Sequence, residues 1–424
     1  MEKGRNMYLK IKTDYQSVLT WLLIGILIID TRAFYLVPLS GGDVQKSRMV
    51  LISLAVILLF FFSFKNSFVK ELVTYRFVKI YLLLTVIVIT FLSVYSMMKY
   101  NENVLDMVYV AVPYLAMFLV PLFLFLFEKN NIEKIIGWLT IAGIISTLLA
   151  FSIAVCRECL GISILPGSPF FGFRDGRVRI SITQLGMDSL LFLFYSIVIE
   201  KKRTLLNIFT FLIMIYAVLF YQSTRIIDIA LVGAMFSILF LYRGSNNEKI
   251  IIKCIIIILL IIFLFNYTVI INSFSVDGDK AGSTLARLGA IDYFYELFSE
   301  NPILGIGFIR PKNDELLAIW SGPLNIYFFG DLGLIGGVFQ CGLLGIPLFI
   351  LPLIRLLYVS LRLLKDNWEI GIFSLSISIY YILLQPTICC INNSNCIVFS
   401  LVWAILEYYY KMVRCDGTHR QCNK

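Results

Sequence analysis

Three arginines, Arg174, Arg177 and Arg179, fall within six residues of the stretch FFGFRDGRVRI, with Asp175 among them. Arg225 opens the apolar run RIIDIALVGAMFSILF, and Arg287 stands near the start of LARLGAIDYFYELFSENPILGIGF, which also carries Asp292 and Glu296. Arg310 and Asp331 follow shortly after. A guanidinium is a planar, permanently charged fork of N–H donors that matches the paired oxygens of phosphate or carboxylate. Glycines at 172 and 176 permit tight turns, and the spacing 174/177/179 brings at least two of these forks toward one point. The residues therefore suggest an anionic ligand. The competing reading is that arginines at helix ends snorkel to the lipid surface, and that Asp228, one turn after Arg225, only neutralises it.

The elements that must hold these residues are membrane helices. The chain is 59% hydrophobic and 15% charged over 424 residues. Segments such as MVLISLAVILLFFFSF (49 to 64) and IIIILLIIFLFNYTVII (255 to 271) are apolar on every side, as lipid requires and a soluble core does not. About twelve spans are expected, near 17–36, 49–64, 78–98, 104–127, 132–156, 183–199, 204–221, 225–242, 250–271, 332–354, 370–388 and 395–411. The fold class is an all-α, polytopic membrane protein, one domain over 1–424. Asp30, Thr31 and Arg32 stand where a small-residue cleavage site would follow the first span, so that span reads as a retained anchor.

Basic residues resist translocation and mark the inner side. With the N-terminus inside, 23 of the 36 basic residues fall on the inner face and 13 on the outer. The net charge of +9 is then a topology signal and not a footprint for nucleic acid. The two faces differ in kind: 15 Lys and 8 Arg inside, 4 Lys and 9 Arg outside. Arg48, an outer arginine far in sequence from both long outer loops, is expected to be a simple anchor.

The outer arginines concentrate in two long loops, 157–182 and 272–331. Within the second, Leu285, Leu288, Ile291, Phe294 and Phe298 recur at helical spacing, with Ser283 or Thr284 as N-cap, Arg287 in the first turn and Asn301-Pro302 as the stop. An amphipathic helix lying on lipid head groups would show the same pattern. Gly305 to Gly307 make a compact turn back toward the membrane. Other constellations are weaker. GIG lacks the strand and third glycine of a nucleotide loop. CREC at 156–159 reads as two small buried residues. Cys415, His419 and Cys422 sit in a terminal tail, and DGDKAG at 277–282 lacks the later Glu of a calcium loop.

Taken together, STR opening a helix, a large outer loop with Arg and an amphipathic helix, NPILGIGF, and GDLGLIGGVFQCGLLG entering the next span resemble the polysaccharide polymerase and O-antigen ligase family, closest to its Wzy-type polymerases. These features cover roughly residues 220 to 350. Ligase members carry a His in the large outer loop; the one histidine here is His419. The resemblance implies a glycosyltransferase acting on undecaprenyl-diphosphate-linked glycans at the outer face of a bacterial plasma membrane, metal-independent and without a cofactor. A flippase and a chain-length regulator would be its partners, together with the bilayer. It implies that Arg225 and Arg287 stabilise the departing diphosphate and that Arg174, Arg177, Arg179, Asp175 and Arg310 hold the second lipid or its sugars. Asp175, Asp292, Glu296 and Asp331 are the candidates for a base, unranked. The rival class is a flippase or secondary transporter; the longest loop lies outside after the ninth span, unlike a pair of six-helix repeats.

Overall fold

The computed structural model describes residues 18–35, 41–64, 74–162, 164, 171–174, 177–222, 224–248, 250, 281–322, 325–391 and 395–422. Its helices are α1 (Val18–Asp30), α2 (Gly41–Ser63), α3 (Arg76–Tyr100), α4 (Val104–Lys129), α5 (Ile132–Leu160), α6 (Gln184–Val198), α7 (Leu205–Gln222) and α8 (Arg225–Phe240). After the described residues resume come α9 (Ala281–Ser299), α10 (Asp314–Ser321), α11 (Gly333–Asp366), α12 (Trp368–Leu384) and α13 (Cys396–Cys422). Seven of the described helices are long and apolar enough to cross a membrane, and α1, α6 and α12 are shorter apolar helices. Helices coincide with every expected span except 250–271, which lies outside the described residues.

Polar caps set the boundaries in the chain. Asn103 and Asp106 form a reciprocal capping box at the start of α4, and Asn131, Thr183, Thr204 and Asn367 cap α5, α6, α7 and α12 through side-chain acceptance from backbone N–H groups. The short connectors between α3, α4 and α5 make these helices alternate in direction. The end of α3, the start of α4 and the end of α5 thus share one end of the bundle, called here the loop end. α11 packs along α12, α12 along α8, and α5 along α6, while α13 lies against α4 and α11.

Three local expectations are corrected. The 157–182 loop contains an antiparallel hairpin, β1 (Phe171–Arg174) and β2 (Arg177–Ile180), because Phe, Val and Ile alternate there with Arg and Gly. α9 begins before Ser283 and Thr284, which lie inside it, so neither is its cap and Arg287 falls in the second turn. α11 runs to Asp366 and not to 354, since the basic stretch after 354 is a good helix former with no breaker.

The motif NPILGIGF forms a largely exposed turn at 302–304 followed by a buried segment at 305–308, and together they fill a break in α11. The helix is interrupted at Gly342, with φ of 66°. Such a break exposes carbonyls on one side and N–H groups on the other. Residues 302–307 satisfy both. The N–H groups of Ile306 and Gly307 donate to the carbonyls of Phe339 and Gln340 at 2.9 and 2.8 Å, while those of Leu343 and Leu344 donate to the carbonyls of Pro302 and Ile303 at 2.9 and 3.0 Å. The backbones approach so closely that a Cβ at Gly342 would lie 2.2 Å from the Ile303 oxygen, and one at Gly305 2.5 Å from the Gly342 nitrogen. The buried segment is also tied to α3: Tyr100 donates to the Ile306 carbonyl at 2.7 Å, and the Phe308 N–H donates to Ser96 at 2.7 Å.

Phe294 of α9 stacks on Phe329 with 4.0 Å between ring centroids, Tyr293 donates to the Ala318 carbonyl of α10, and Lys99 meets Glu300 at 3.5 Å. α9 is thus held to the bundle by an aromatic shelf, unlike a helix that merely floats on head groups.

Candidate active site at the loop end

β2 leads directly into α6 and is fastened to the corner between α7 and α8. The Arg179 guanidinium donates to the Gln222 carbonyl at 3.2 Å and to Thr224 Oγ1 at 3.0 Å, and the Ile182 N–H donates to the Gln222 side chain. Arg179 is therefore bonded to the residue next to Arg225, which occupies the first turn of α8 and is half-buried. The last six residues of α7 wind as a π-helix, a departure that recurs at functional sites. Strand alternation and the pairing of Arg174 with Arg177 and of Gly172 with Arg179 place positions 174, 177 and 179 on one face of the hairpin. Val178 and Ile180, on the other, are buried with Ala150, Ile153 and Tyr221.

Beside this corner lies a polar cavity of about 200 Å³, lined by the ends of α1, α2, α6, α7 and α8 and by Asn395. It holds residues that sequence reasoning passed over. Arg32 donates to Ser181 Oγ at 2.8 Å and also reaches the Ser181 carbonyl, which accepts from Tyr35 at 2.7 Å. Arg32 to Tyr35 all have φ near +50°, a left-handed turn that costs about 1–2 kcal/mol per residue; strain of this kind gathers at functional sites. Arg48 lies 4.0 Å from Asp30, which in turn accepts from the Leu185 N–H at 3.3 Å. Arg48 is only 14% exposed, so the expectation of a simple anchor is corrected: two turns into α2, it faces the cavity. The signal was present in the DTR triplet at 30–32 and in the position of Arg48 immediately before the apolar run that opens at Met49. Behind the cavity, Asp188 accepts from Gln184 at 3.0 Å and from Tyr381 at 2.8 Å, a buried network joining α6 to α12.

The second set of expected residues is on α9 and around it. Ala290 and Phe294 are buried, and Arg287, three and seven residues earlier, shares their packing face; its Nε is enclosed and makes no hydrogen bond. Asp292 and Glu296 are exposed on the far side of the helix, and Asp331 is exposed in the turn before α11. Arg310 is drawn elsewhere: its guanidinium bonds Asp106 at 2.8 Å and lies 4.7 Å over the Tyr109 ring, and Lys312 joins the same carboxylate. The Arg310 N–H donates to Glu102 at 3.0 Å, which opposes the burial that pushes the Glu102 carboxyl up from its ordinary range. The structure therefore brings Arg179 to the Arg225 corner and commits Arg310 to a clasp on α4. α8 rests on α12 and α6, whereas α9 rests on α11. Asp175 lies outside the described residues. Among those described, no cluster of His, Cys, Asp and Glu has the form of a metal site.

A bundle of long apolar helices with a polar, arginine-lined corner at one end is the architecture of a multi-pass membrane protein. Residues 209–339 match the family model described as O-antigen ligase, which supports the resemblance to the O-antigen ligase and polymerase family. The matched stretch runs from α7 into α11 and takes in the Gln222–Arg225 corner, Arg287 and the 302–308 segment that fills the break in α11. No curated protein matches the chain.

Proposed function

We propose that the protein polymerises undecaprenyl-diphosphate-linked oligosaccharide repeat units into a surface polysaccharide at the outer face of a bacterial plasma membrane. The observation that carries this reading is the Arg179–Thr224–Arg225 corner, within and beside the family-matched segment and next to a polar cavity lined by Gln222, Arg32 and Arg48. In the reaction the bond from the donor sugar to its diphosphate breaks, and an acceptor hydroxyl on the second lipid-linked glycan takes its place. The hydroxyl proton passes to a base and the lipid diphosphate leaves as an anion. Arg225 and Arg287 take the growing charge on the diphosphate through paired, charge-assisted hydrogen bonds. The hairpin arginines and the cavity orient the second substrate. Asp175, Asp292, Glu296 and Asp331 are the candidates for the base, with positioning of the hydroxyl as the larger contribution.

The printed description of the family model favours a second reading, single transfer of a finished glycan to a lipid acceptor. Purified protein incubated with defined lipid-linked repeat units separates the two: a ladder of lengthened lipid-linked products supports polymerisation, whereas one transfer to an added lipid acceptor and no ladder supports the ligase.

A further inference from the structure

The polar cavity beside the Arg179–Arg225 corner is lined by two glutamines, Gln184 at the start of α6 and Gln222 at the end of α7. They are 6% and 7% exposed, and buried partners turn each amide one way. The Gln184 nitrogen faces three acceptors, Asp188 at 3.0 Å and the Tyr380 and Tyr381 hydroxyls at 3.2 and 3.3 Å. Tyr381 gives its own proton to Asp188, so a nitrogen and not an oxygen belongs there. At Gln222 the order is reversed. Its oxygen accepts from the Ile182 N–H, a donor that the amide nitrogen could not serve. Among the described residues, the Gln184 oxygen and the Gln222 nitrogen have no hydrogen-bond partner, and neither atom is sealed off from the cavity. The wall therefore offers a ligand one group that only accepts and one that only donates, both locked.

We infer that this pair recognises a secondary amide, the N-acylamino group of a sugar: its N–H donates to the Gln184 oxygen and its C=O accepts from the Gln222 nitrogen. The inference rests on the reading above, in which the cavity orients the second lipid-linked glycan. The sugar is the one joined to the diphosphate, because arginines line the same cavity and adjoin it. A secondary amide keeps its donor and its acceptor on separate atoms, as the two glutamines do. A hydroxyl donates and accepts through one atom and is served by either orientation of either glutamine, so it gives no reason for both to be locked. A carboxylate or phosphate would set an acceptor against the Gln184 oxygen, and an apolar group would leave both amides unpaired. Losing one hydrogen bond to a locked, buried group predicts a preference of about tenfold for the amide over a hydroxyl in its place.

The test is retention of lipid by detergent-purified protein, counted by native mass spectrometry. The probes are undecaprenyl diphosphates carrying N-acetylglucosamine or N-acetylgalactosamine and their glucose and galactose counterparts. The wild type should retain at least one acetylated lipid about tenfold over its hydroxyl counterpart. Gln222→Glu keeps an oxygen for the Ile182 N–H and puts an acceptor where the donor faced the cavity; Gln184→Met removes the acceptor. Each should erase the preference while remaining monodisperse. Equal retention of acetylated and hydroxyl lipids by the wild type, or an unchanged preference in Gln222→Glu, overturns the inference and leaves the polymerase reading standing. Retention of none of these lipids, with no product ladder from lipid-linked repeat units, overturns both.

Discussion

Replacing Gly342 by Ala tests how the outer loop is held. The added methyl would lie 2.2 Å from the Ile303 oxygen and 2.5 Å from the Gly305 nitrogen, against ordinary contacts beyond about 3.4 Å, so the backbones must separate. The positive φ adds about 1–2 kcal/mol. Separation also weakens the four hydrogen bonds that close the break, each worth about 1 kcal/mol net. The total is about 3–6 kcal/mol, concentrated at one place. Local opening should become more frequent by over a hundredfold even at the lower figure. Cys341, free, fully buried and next to the break, reports it directly. In a background with the other eight cysteines replaced, maleimide labelling of Cys341 should accelerate by that factor in Gly342→Ala, and the product ladder should collapse because α9 and Arg287 lose their footing. Gly330→Ala is the control, since a Cβ there meets nothing within 4 Å. Wild-type labelling and ladders from Gly342→Ala would refute the account of the break.

Arg225→Lys and Arg287→Lys keep the charge and lose the fork, so each should reduce polymerisation by about a hundredfold, nearly as much as Ala, at normal protein abundance on immunoblots; full ladders from both would end the diphosphate assignment. Arg48→Lys should cost roughly ten- to hundredfold in ladder formation, the worth of one charged hydrogen bond, whereas a simple anchor would tolerate Lys. At the opposite end, the Ser245 N–H, the Tyr242 hydroxyl and Lys201 hold the Glu248 carboxyl at about 2, below its usual 4.5. A depressed folded value means the clasp is intact above pH 4.5 and is lost as pH falls toward 2; Ser245 amide-exchange protection should follow that window, and Glu248→Gln should abolish the dependence.

The helices were legible because lipid allows few alternatives: apolar runs, Asn and Thr caps and short connectors suffice to place α3 to α8. α9 was legible from its apolar spacing, although its start was not, since Ser283 and Thr284 are as acceptable inside a first turn as before it. α10 was overlooked despite Asn313 and the acidic pair Asp314 and Glu315 that signal a capped start. The site divided differently. Arg179 and Arg225 could be suspected from residue type, but their meeting depends on a hydrogen bond across 45 positions. Arg32 and Arg48 belong to helix ends whose convergence no local pattern encodes. Arg310 reads in sequence as one more substrate-holding arginine beside the hairpin set, and its partner Asp106, 204 residues away, is what commits it to a clasp on α4.

The break in α11 also divides the molecule mechanically. The Phe339 and Gln340 carbonyls at the end of the first part of α11 accept from Ile306 and Gly307, and the Leu334 N–H near its start donates to the carbonyl of Gln385, just past the end of α12. The half that begins at Leu343 is packed in the bundle. Any displacement of the loop end therefore acts first on a short helical segment hinged at one glycine, ahead of the long helix beyond it.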